Sequence, residues 1–265
     1  MKTIIIVCNY NEEQTGNLKN CLLSLSKNKT KDTIIGVIDN SSIDNSVSLL
    51  NSYVISGVID YCILSSRNLG KAKALNNLFK FIMMSESVTP GDLVIHLDSD
   101  ICLYNNCVTR SNKLFTDYAD LLLYSTELSY DCNNFVESTY HTFSRKTATK
   151  INIDNNQYLK LSDTQGICGC FLCMKIEYFM NVNLYNENLG YNNNTAIYGG
   201  DDAVLLLKLH QKYLNKFILI DESNWCYHPK TLDEKYQQWK IDTNSLMCKY
   251  GFGNNKLPNI GFYDK

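Results

Sequence analysis

Short apolar runs typical of buried strands alternate with longer amphipathic segments over roughly the first hundred residues of this chain. The apolar runs cover residues 3–8, 34–38, 61–64 and 93–97. The first amphipathic segment, residues 12–26, repeats its apolar side chains at helical spacing, and another extends from Gly70 to Pro90. Repetition of strand, helix and strand is typical of a largely parallel sheet flanked by helices. The sequence therefore predicts an α/β fold.

The second half of the chain has a less regular pattern. Short elements are expected near residues 112–118 and 121–124, and strands at 167–174 and 217–220. Helices are expected at 201–214 and 232–248. The last residues contain Gly251, Gly253 and Gly261, which indicate a loop or tail.

Charge and cysteine content indicate which partners and which cellular compartment to expect for this protein. Lys and Arg total 25 against 27 acidic residues, so the net charge of −2 argues against a nucleic-acid partner. The eleven cysteines are scattered and several lie in apolar runs, which predicts reduced thiols and a cytoplasmic protein. A zinc site at Cys168, Cys170 and Cys173 is the alternative, although no second cysteine pair completes four ligands. Neither a signal peptide nor a membrane-spanning segment is expected.

Four polar loops follow the predicted strands of the first half. They are residues 9–13, 39–44, 65–71 and 98–100. Right-handed crossovers place the carboxyl ends of parallel strands along one edge of a sheet, which is where ligands bind in open α/β folds. We therefore expect the four loops to form one site.

The fourth loop contains two carboxylates one residue apart. Asp98 and Asp100 directly follow a buried strand, and oxygen ligands of this kind suit Mg²⁺ or Mn²⁺. A divalent ion stabilises the negative charge that builds up on a departing diphosphate. The alternative is an ordinary turn or helix cap.

The second and third loops carry groups suited to a nucleotide. Asp39 is placed to accept hydrogen bonds from a base or a ribose hydroxyl, or else from local backbone amides. Arg67 and Lys71 lie just before the next helix, where cations and free amides favour phosphate oxygens. A solvated helix cap that needs Gly70 for its turn is the alternative.

Residues 4–13 (IIIVCNYNEE), 37–44 (VIDNSSID), 67–76 (RNLGKAKALN) and 97–100 (LDSD) resemble, in this order, the motifs of family 2 glycosyltransferases with the GT-A fold. The resemblance implies a Rossmann-like nucleotide-binding fold with a mostly parallel sheet. It implies a donor site to which the following residues contribute: Cys8, Tyr10, Asp39, Arg67, Lys71, Asp98 and Ser99. Tyr10 would flank the base, and Asp100 would be the principal metal ligand, with Asp98 facing ribose or metal. Cys8 departs from the family's usual hydroxyl or proline. The family's commonest donors imply a UDP-sugar.

A second group of motifs lies near a predicted helix start. Asp201 and Asp202 begin the helix, where acidic residues ordinarily complement the helix dipole. Residues 166–173 (GICGCFLC), 186–188 (NEN) and 199–202 (GGDD) resemble the carboxyl-terminal part of galactosyltransferase-like inverting enzymes. By that resemblance, Asp202 would be the catalytic base and Asp201 would replace a glutamate. His228 lies where relatives carry a histidine that completes the metal site.

Together these motifs predict a metal-dependent, inverting glycosyltransferase that uses Mn²⁺ or Mg²⁺. It would move one sugar from a nucleotide diphosphate sugar to a glycan or another hydroxyl-bearing acceptor. Residues 1–103 would form the nucleotide-sugar lobe, and residues 104–265 the acceptor lobe and tail of one compact domain. Processive synthesis is disfavoured because residues 237–239 (QQW) lack the arginine of the synthase signature. The alternatives are a nucleotidyltransferase and a non-catalytic nucleotide- or sugar-binding module.

Overall fold

The computed structural model describes residues 1–131, 133–136, 148–162, 167–187 and 201–229. Within these ranges the chain forms nine strands and six helices. The strands are β1 (Thr3–Asn9), β2 (Thr33–Asp39), β3 (Tyr61–Leu64), β4 (Leu93–Asp98), β5 (Leu121–Ser129), β6 (Thr149–Ile153), β7 (Asn156–Leu161), β8 (Phe171–Lys175) and β9 (Phe217–Tyr227). The helices are α1 (Asn17–Asn28), α2 (Ser46–Ile55), α3 (Lys71–Ser85), α4 (Cys107–Asp117), α5 (Ile176–Asn181) and α6 (Asp201–Lys212).

All the described strands belong to one mixed sheet in the order β3-β2-β1-β4-β8-β5-β9-β7-β6. The first four strands in this order, β3, β2, β1 and β4, pair in parallel, and so do β5 and β9. Strand β8 lies between β4 and β5 and pairs antiparallel with both, and the β6–β7 hairpin adds antiparallel strands at the far edge. The α/β prediction is confirmed. The antiparallel β8 is the feature that joins the two halves of the sheet.

Helices cover both faces of the sheet, and each face buries its own apolar core. The core on one face includes residues of α3, α5 and α6, and the core on the other includes residues of α1, α2 and α4. Strand β2 has every residue buried because it is covered on both sides. The helices therefore hold the carboxyl ends of β1, β2 and β4 along one edge.

Gly36 in β2 allows α3 to pack closely against the sheet. A Cβ atom at this position would lie 2.5 Å from Ile82 Cδ1 and 3.1 Å from Leu78 Cδ1. The close approach of α3 fixes where its first residue, Lys71, meets the edge of the sheet.

Several element boundaries differ from the sequence prediction. Helix α1 begins at Asn17 rather than at residue 12, because Gly16 adopts a left-handed φ of 75° that the helix cannot include. Strand β8 begins at Phe171 rather than at 167, and β9 continues to Tyr227 rather than ending at 220. The β6–β7 hairpin was not predicted. The helix predicted at 232–248 and the glycine-containing tail lie outside the described residues.

None of the helices in the described part of the chain combines the length and the apolar character that crossing a bilayer requires.

Candidate active site

The loops after β1 and β2 are joined by the buried Asp39 carboxylate. Its Oδ2 accepts hydrogen bonds from Asn9 Nδ2 at 2.8 Å and from Ser42 Oγ at 2.6 Å, and its Oδ1 accepts one from the Ser42 amide at 2.9 Å. Ser41 between them has a φ of 72°, a left-handed conformation that is rare for a serine. Asp39 is 1% exposed, and its hydrogen bonds in this structure are to neighbouring groups of the loops. It therefore has the local role that was the alternative to binding a base or ribose.

A pair of asparagine side chains joins the second loop to the third. Asn40 Nδ2 donates to Asn68 Oδ1 at 2.9 Å, and Asn40 Oδ1 accepts a hydrogen bond from the Leu69 amide at 2.8 Å. Gly70 then takes a φ of 78° and α3 begins at Lys71. The loops after β1, β2 and β3 therefore form one continuous hydrogen-bonded rim.

Asp98, Asp100 and His228 come together at this edge. Each offers one ligand atom, and the three atoms lie within 4.8 Å of one another. Among the described residues, these three are the histidine, cysteine and acidic side chains that lie close enough together to hold a metal ion. Cys168, Cys170 and Cys173, the alternative zinc site, do not form such a group. Asp98 and Asp100 thus lie at the edge where the strand order places them, and His228, which the resemblance alone adds to the metal site, lies beside them.

Strand β9 brings His228 to the site from the far half of the chain. An isolated bridge pairs Cys102 with Tyr227, and the His228 amide donates to Ser129 O at 2.9 Å. The ring Nδ1 lies 2.8 Å from Pro229 O, so Nδ1 carries the hydrogen and Nε2 is the nitrogen whose lone pair can bind a metal. Nε2 lies 4.0 Å from Asp100 Oδ2.

Asp98 is paired with two nitrogen groups. Lys71 Nζ lies 2.6 Å and His96 Nε2 lies 3.2 Å from Asp98 Oδ1. Burial acts to raise the pKa of the Asp98 carboxyl, but the charge of Lys71 and the contact with His96 outweigh it and hold this pKa well below its usual range. Asp98 is therefore ionised at neutral pH.

Asp100 lies in a different electrostatic setting. Burial, with a smaller contribution from the negative charge of Asp98, raises the pKa of Asp100 to about 6, although His228 acts in the opposite direction. A buried carboxylate whose charged form is disfavoured, close to a second carboxylate that is ionised, is a favourable place for a cation.

Helix α6 begins at the site with Asp201 and Asp202. Asp201 is 4% exposed, and burial, more than Asp202, raises its pKa, while Lys71 acts to lower it. The carboxylate of Asp202 packs against Gly169, where a Cβ atom would overlap it. The neighbouring Cys170 accepts a hydrogen bond from the Asp98 amide at 2.9 Å. The loop before β8 thus connects Asp202 to Asp98.

The remaining predicted donor residues lie around this centre. Tyr10 is 47% exposed and Arg67 is also exposed, so both are accessible to a ligand at the rim. Ser99 is buried between the two metal-site carboxylates. Cys8 is half-buried against the core, and burial raises its pKa to about 12, so the thiol is neutral.

His96 was given no role in the sequence analysis, yet the structure places it in contact with Asp98. The alternation of side chains in a strand could have predicted this contact, because His96 and Asp98 are two residues apart in β4 and lie on the same face. A histidine inside a buried apolar strand also needs a polar partner. Tyr185, the second partner of His96 at 2.6 Å, comes from a distant segment that no local pattern connects to it.

Comparison with protein families gives one match. The model described as Glycosyl transferase family 2 matches residues 4–182. No curated protein sequence matches the chain.

Three solved structures similar to this chain contain a nucleotide or nucleotide sugar. The mannosyltransferase PcManGT from Pyrobaculum calidifontis, in complex with GDP-Man and Mn²⁺, has a TM-score of 0.66 at 14% identity, over 98% of this chain and 66% of that one. GalNAc-T7 with UDP, GalNAc and Mn²⁺ has a TM-score of 0.60 at 14% identity, over 88% of this chain and 44% of that one. S. aureus TarS 1–349 in complex with UDP-GlcNAc has a TM-score of 0.59 at 18% identity, over 88% of this chain and 60% of that one. This chain therefore spans less than two thirds of each of these three, and the likeness shows a shared GT-A fold.

Proposed function

This chain belongs to glycosyltransferase family 2, and from that premise we propose that it moves one sugar from a nucleotide diphosphate sugar to a hydroxyl group of an acceptor, with inversion at the anomeric carbon. The observation that carries the proposal is the meeting of the Asp98, Asp100 and His228 ligand atoms at the sheet edge, beside the Gly169 contact of Asp202.

The donor set at this edge fits a divalent cation. Two carboxylates and an imidazole within 4.8 Å suit Mn²⁺, and the oxygen ligands alone also suit Mg²⁺. Such an ion supplies a Lewis acid that neutralises the charge of the departing nucleotide diphosphate. The protein's part is to present both carboxylates at the sheet edge, and Lys71 and His96 keep Asp98 ionised through their contacts with it.

Asp202 is the proposed general base. Its carboxylate lies against Gly169 at the start of a helix, and it is outside the group of candidate metal ligands. As the acceptor oxygen attacks the anomeric carbon, its proton passes to Asp202 while the bond to the diphosphate breaks. One displacement of this kind inverts the anomeric configuration.

The relatives' ligands support the choice of donor class. The structure of GalNAc-T7 contains UDP, that of TarS contains UDP-GlcNAc, and that of PcManGT contains GDP-Man. We therefore propose a nucleoside diphosphate sugar, with uridine as the first base to test. A glycan or another hydroxyl-bearing molecule is the proposed acceptor.

The test is to incubate the full chain with a panel of nucleotide sugars, Mn²⁺ and mixed glycan acceptors, and to detect products by mass spectrometry. A nucleoside diphosphate together with an acceptor heavier by one sugar is the expected result. Chelation by EDTA and the Asp100→Asn substitution should each abolish it. Release of pyrophosphate would instead support a nucleotidyltransferase, and tight donor binding without any release would support a binding module.

A further inference from the structure

The Asp98 carboxylate is held through one of its two oxygens. Lys71 Nζ and His96 Nε2 both approach Oδ1, at 2.6 and 3.2 Å. Both nitrogens thus approach the same oxygen atom, Lys71 as an ion pair and His96 as a close contact without the alignment of a hydrogen bond. This arrangement directs Oδ2 away from the two nitrogens.

The His96 ring is itself fixed by a second buried contact. His96 is 2% exposed, and its Nδ1 lies 2.6 Å from the Tyr185 hydroxyl. The nearest Asp98 oxygen can only accept, so the Nε2 that approaches it carries the hydrogen, and its N–H is not aligned on that oxygen in this structure. Nδ1 then accepts the hydroxyl hydrogen of Tyr185, and this hydrogen bond fixes the ring with Nε2 towards Asp98.

Tyr185 is held in place by the side chain of Asn76 in α3. Asn76 Nδ2 donates to Tyr185 O at 2.9 Å, and Asn76 Oδ1 accepts from the Tyr185 amide at 3.1 Å. The Tyr185 ring also packs edge-to-face on Phe179, with centroids 5.3 Å apart. The hydroxyl therefore has little freedom to leave His96.

We propose that Asn76, Tyr185 and His96 form a buried positioning relay that orients the Asp98 carboxylate for the divalent cation. The inference rests on the proposed function only in taking Asp98, Asp100 and His228 as the cation's ligands. The relay consists of positioning residues, since each acts on the cation through Asp98.

The physical need for such a relay comes from the neighbours of Asp98. Lys71 has a long flexible side chain and faces Asp201 and Asp202 as well as Asp98, so its hold on Asp98 is shared. The His96 ring is rigid and buried, and it contacts Asp98 from the same strand. Partners that orient a metal ligand in this way typically change metal affinity about 10- to 100-fold when removed.

The experiment measures Mn²⁺ binding to the full chain, with and without UDP, from the electron paramagnetic resonance signal of free Mn²⁺. Four variants are compared with the unaltered protein: His96→Leu, His96→Gln, Tyr185→Phe and the control Tyr178→Phe. Tyr178 is a buried tyrosine on the same core as Tyr185, and its ring packs against Tyr213 instead. Thermal unfolding of each variant shows whether it is folded.

His96→Leu should weaken Mn²⁺ binding about 10- to 100-fold. His96→Gln keeps an amide donor for Asp98 and should recover most of that loss. Tyr185→Phe removes one hydroxyl and should weaken binding in the same direction, whereas Tyr178→Phe should leave it unchanged. At saturating Mn²⁺ the KM for the donor should be the same in all variants, because the relay does not touch the nucleotide.

Unchanged Mn²⁺ affinity in folded His96→Leu overturns the relay while leaving the proposed function intact. If His96→Leu does not fold, Tyr185→Phe decides in the same way, because it keeps the ring packing. If the unaltered protein binds no Mn²⁺ even with UDP, both the relay and the metal-dependent function are overturned.

Discussion

Gly169 is the residue whose missing side chain sets the position of the candidate base. A Cβ atom there would overlap the Asp202 carboxylate, so Gly169→Ala must push Asp202 aside. A displacement of about 1 Å at a reacting group costs about 10²-fold in rate. We expect kcat to fall by about that factor in a donor-panel assay, with the KM for the donor nearly unchanged.

The control for this substitution is Gly91→Ala, since a Cβ atom at Gly91 would meet no atom within 4 Å. It should retain full turnover. Equal activity in Gly91→Ala and Gly169→Ala would mean that the contact between Gly169 and Asp202 has no part in the reaction.

Asp202 itself gives a second prediction. Asp202→Asn keeps the size of the side chain but removes its capacity to take a proton, so turnover should fall about 10²- to 10⁴-fold. Donor affinity, measured by calorimetry, should stay near that of the unaltered protein. Asp120→Asn, at a side chain that is 77% exposed, is the control. Near-normal turnover in Asp202→Asn would remove Asp202 from the role of base.

The residues of the site were predictable to different degrees for physical reasons. Asp98 and Asp100 follow a buried strand, and parallel topology sends that strand to the ligand-binding edge, so their place could be inferred. The position of His228 came from resemblance alone, because β9 pairs with a strand almost a hundred residues earlier. The contact of Gly169 with Asp202 depends on the packing of α6 against the β8 loop, which no local pattern encodes.

At the scale of single elements, Asp92 fixes the start of β4 to the start of the chain. Its Oδ1 accepts the Lys2 amide at 2.7 Å, and its Oδ2 accepts the Thr89 amide at 2.7 Å and the Thr89 hydroxyl at 2.9 Å. Asp92→Asn would turn an amide NH₂ towards one of these donors. We expect a loss of about 1–3 kcal/mol in the free energy of unfolding at pH 7, measured with urea.

The same substitution should show a defined pH dependence. Burial acts to raise the pKa of Asp92, but the hydrogen bonds from Thr89 and Lys2 outweigh it and lower this pKa below its ordinary value of 3.8. A lowered pKa in the folded state adds stability above pH 3.8 that is lost as the pH falls through the folded value. The difference between the unaltered protein and Asp92→Asn should therefore be constant near neutrality and shrink below about pH 4. The exposed Asp32→Asn serves as control, and a gap that widens on acidification would contradict the assignment.

The first strands and helices were predictable as elements because each buries an apolar run or stripe of its own. The β6–β7 hairpin was missed since β6 is a half-exposed edge strand, TKINI, without an apolar run to mark it. The antiparallel direction of β8 could not be predicted from its apolar pattern either. Its apolar residues suit either direction, and the choice is set by its pairing with both β4 and β5.

For the whole molecule, the proposed site predicts that ligands should stabilise the fold together rather than singly. A ligand that binds only the folded state adds about 2.7 kcal/mol when present at 100 times its Kd. UDP with Mn²⁺ should therefore raise the Tm by several degrees, while either alone should raise it much less. Asp100→Asn should abolish the joint effect, and GDP in place of UDP tests the choice of base. An equal shift from UDP with and without Mn²⁺ would argue against a shared site.

The pairing of Cys102 with Tyr227 bears on how the protein is made. A nascent chain that has emerged only as far as β8 already carries Asp98 and Asp100, but the imidazole that completes the proposed ligand set has not yet been translated. The polypeptide would therefore capture its cation only late in synthesis, once β9 has docked beside β5. Until then, the proposed ligand set has only its two carboxylates.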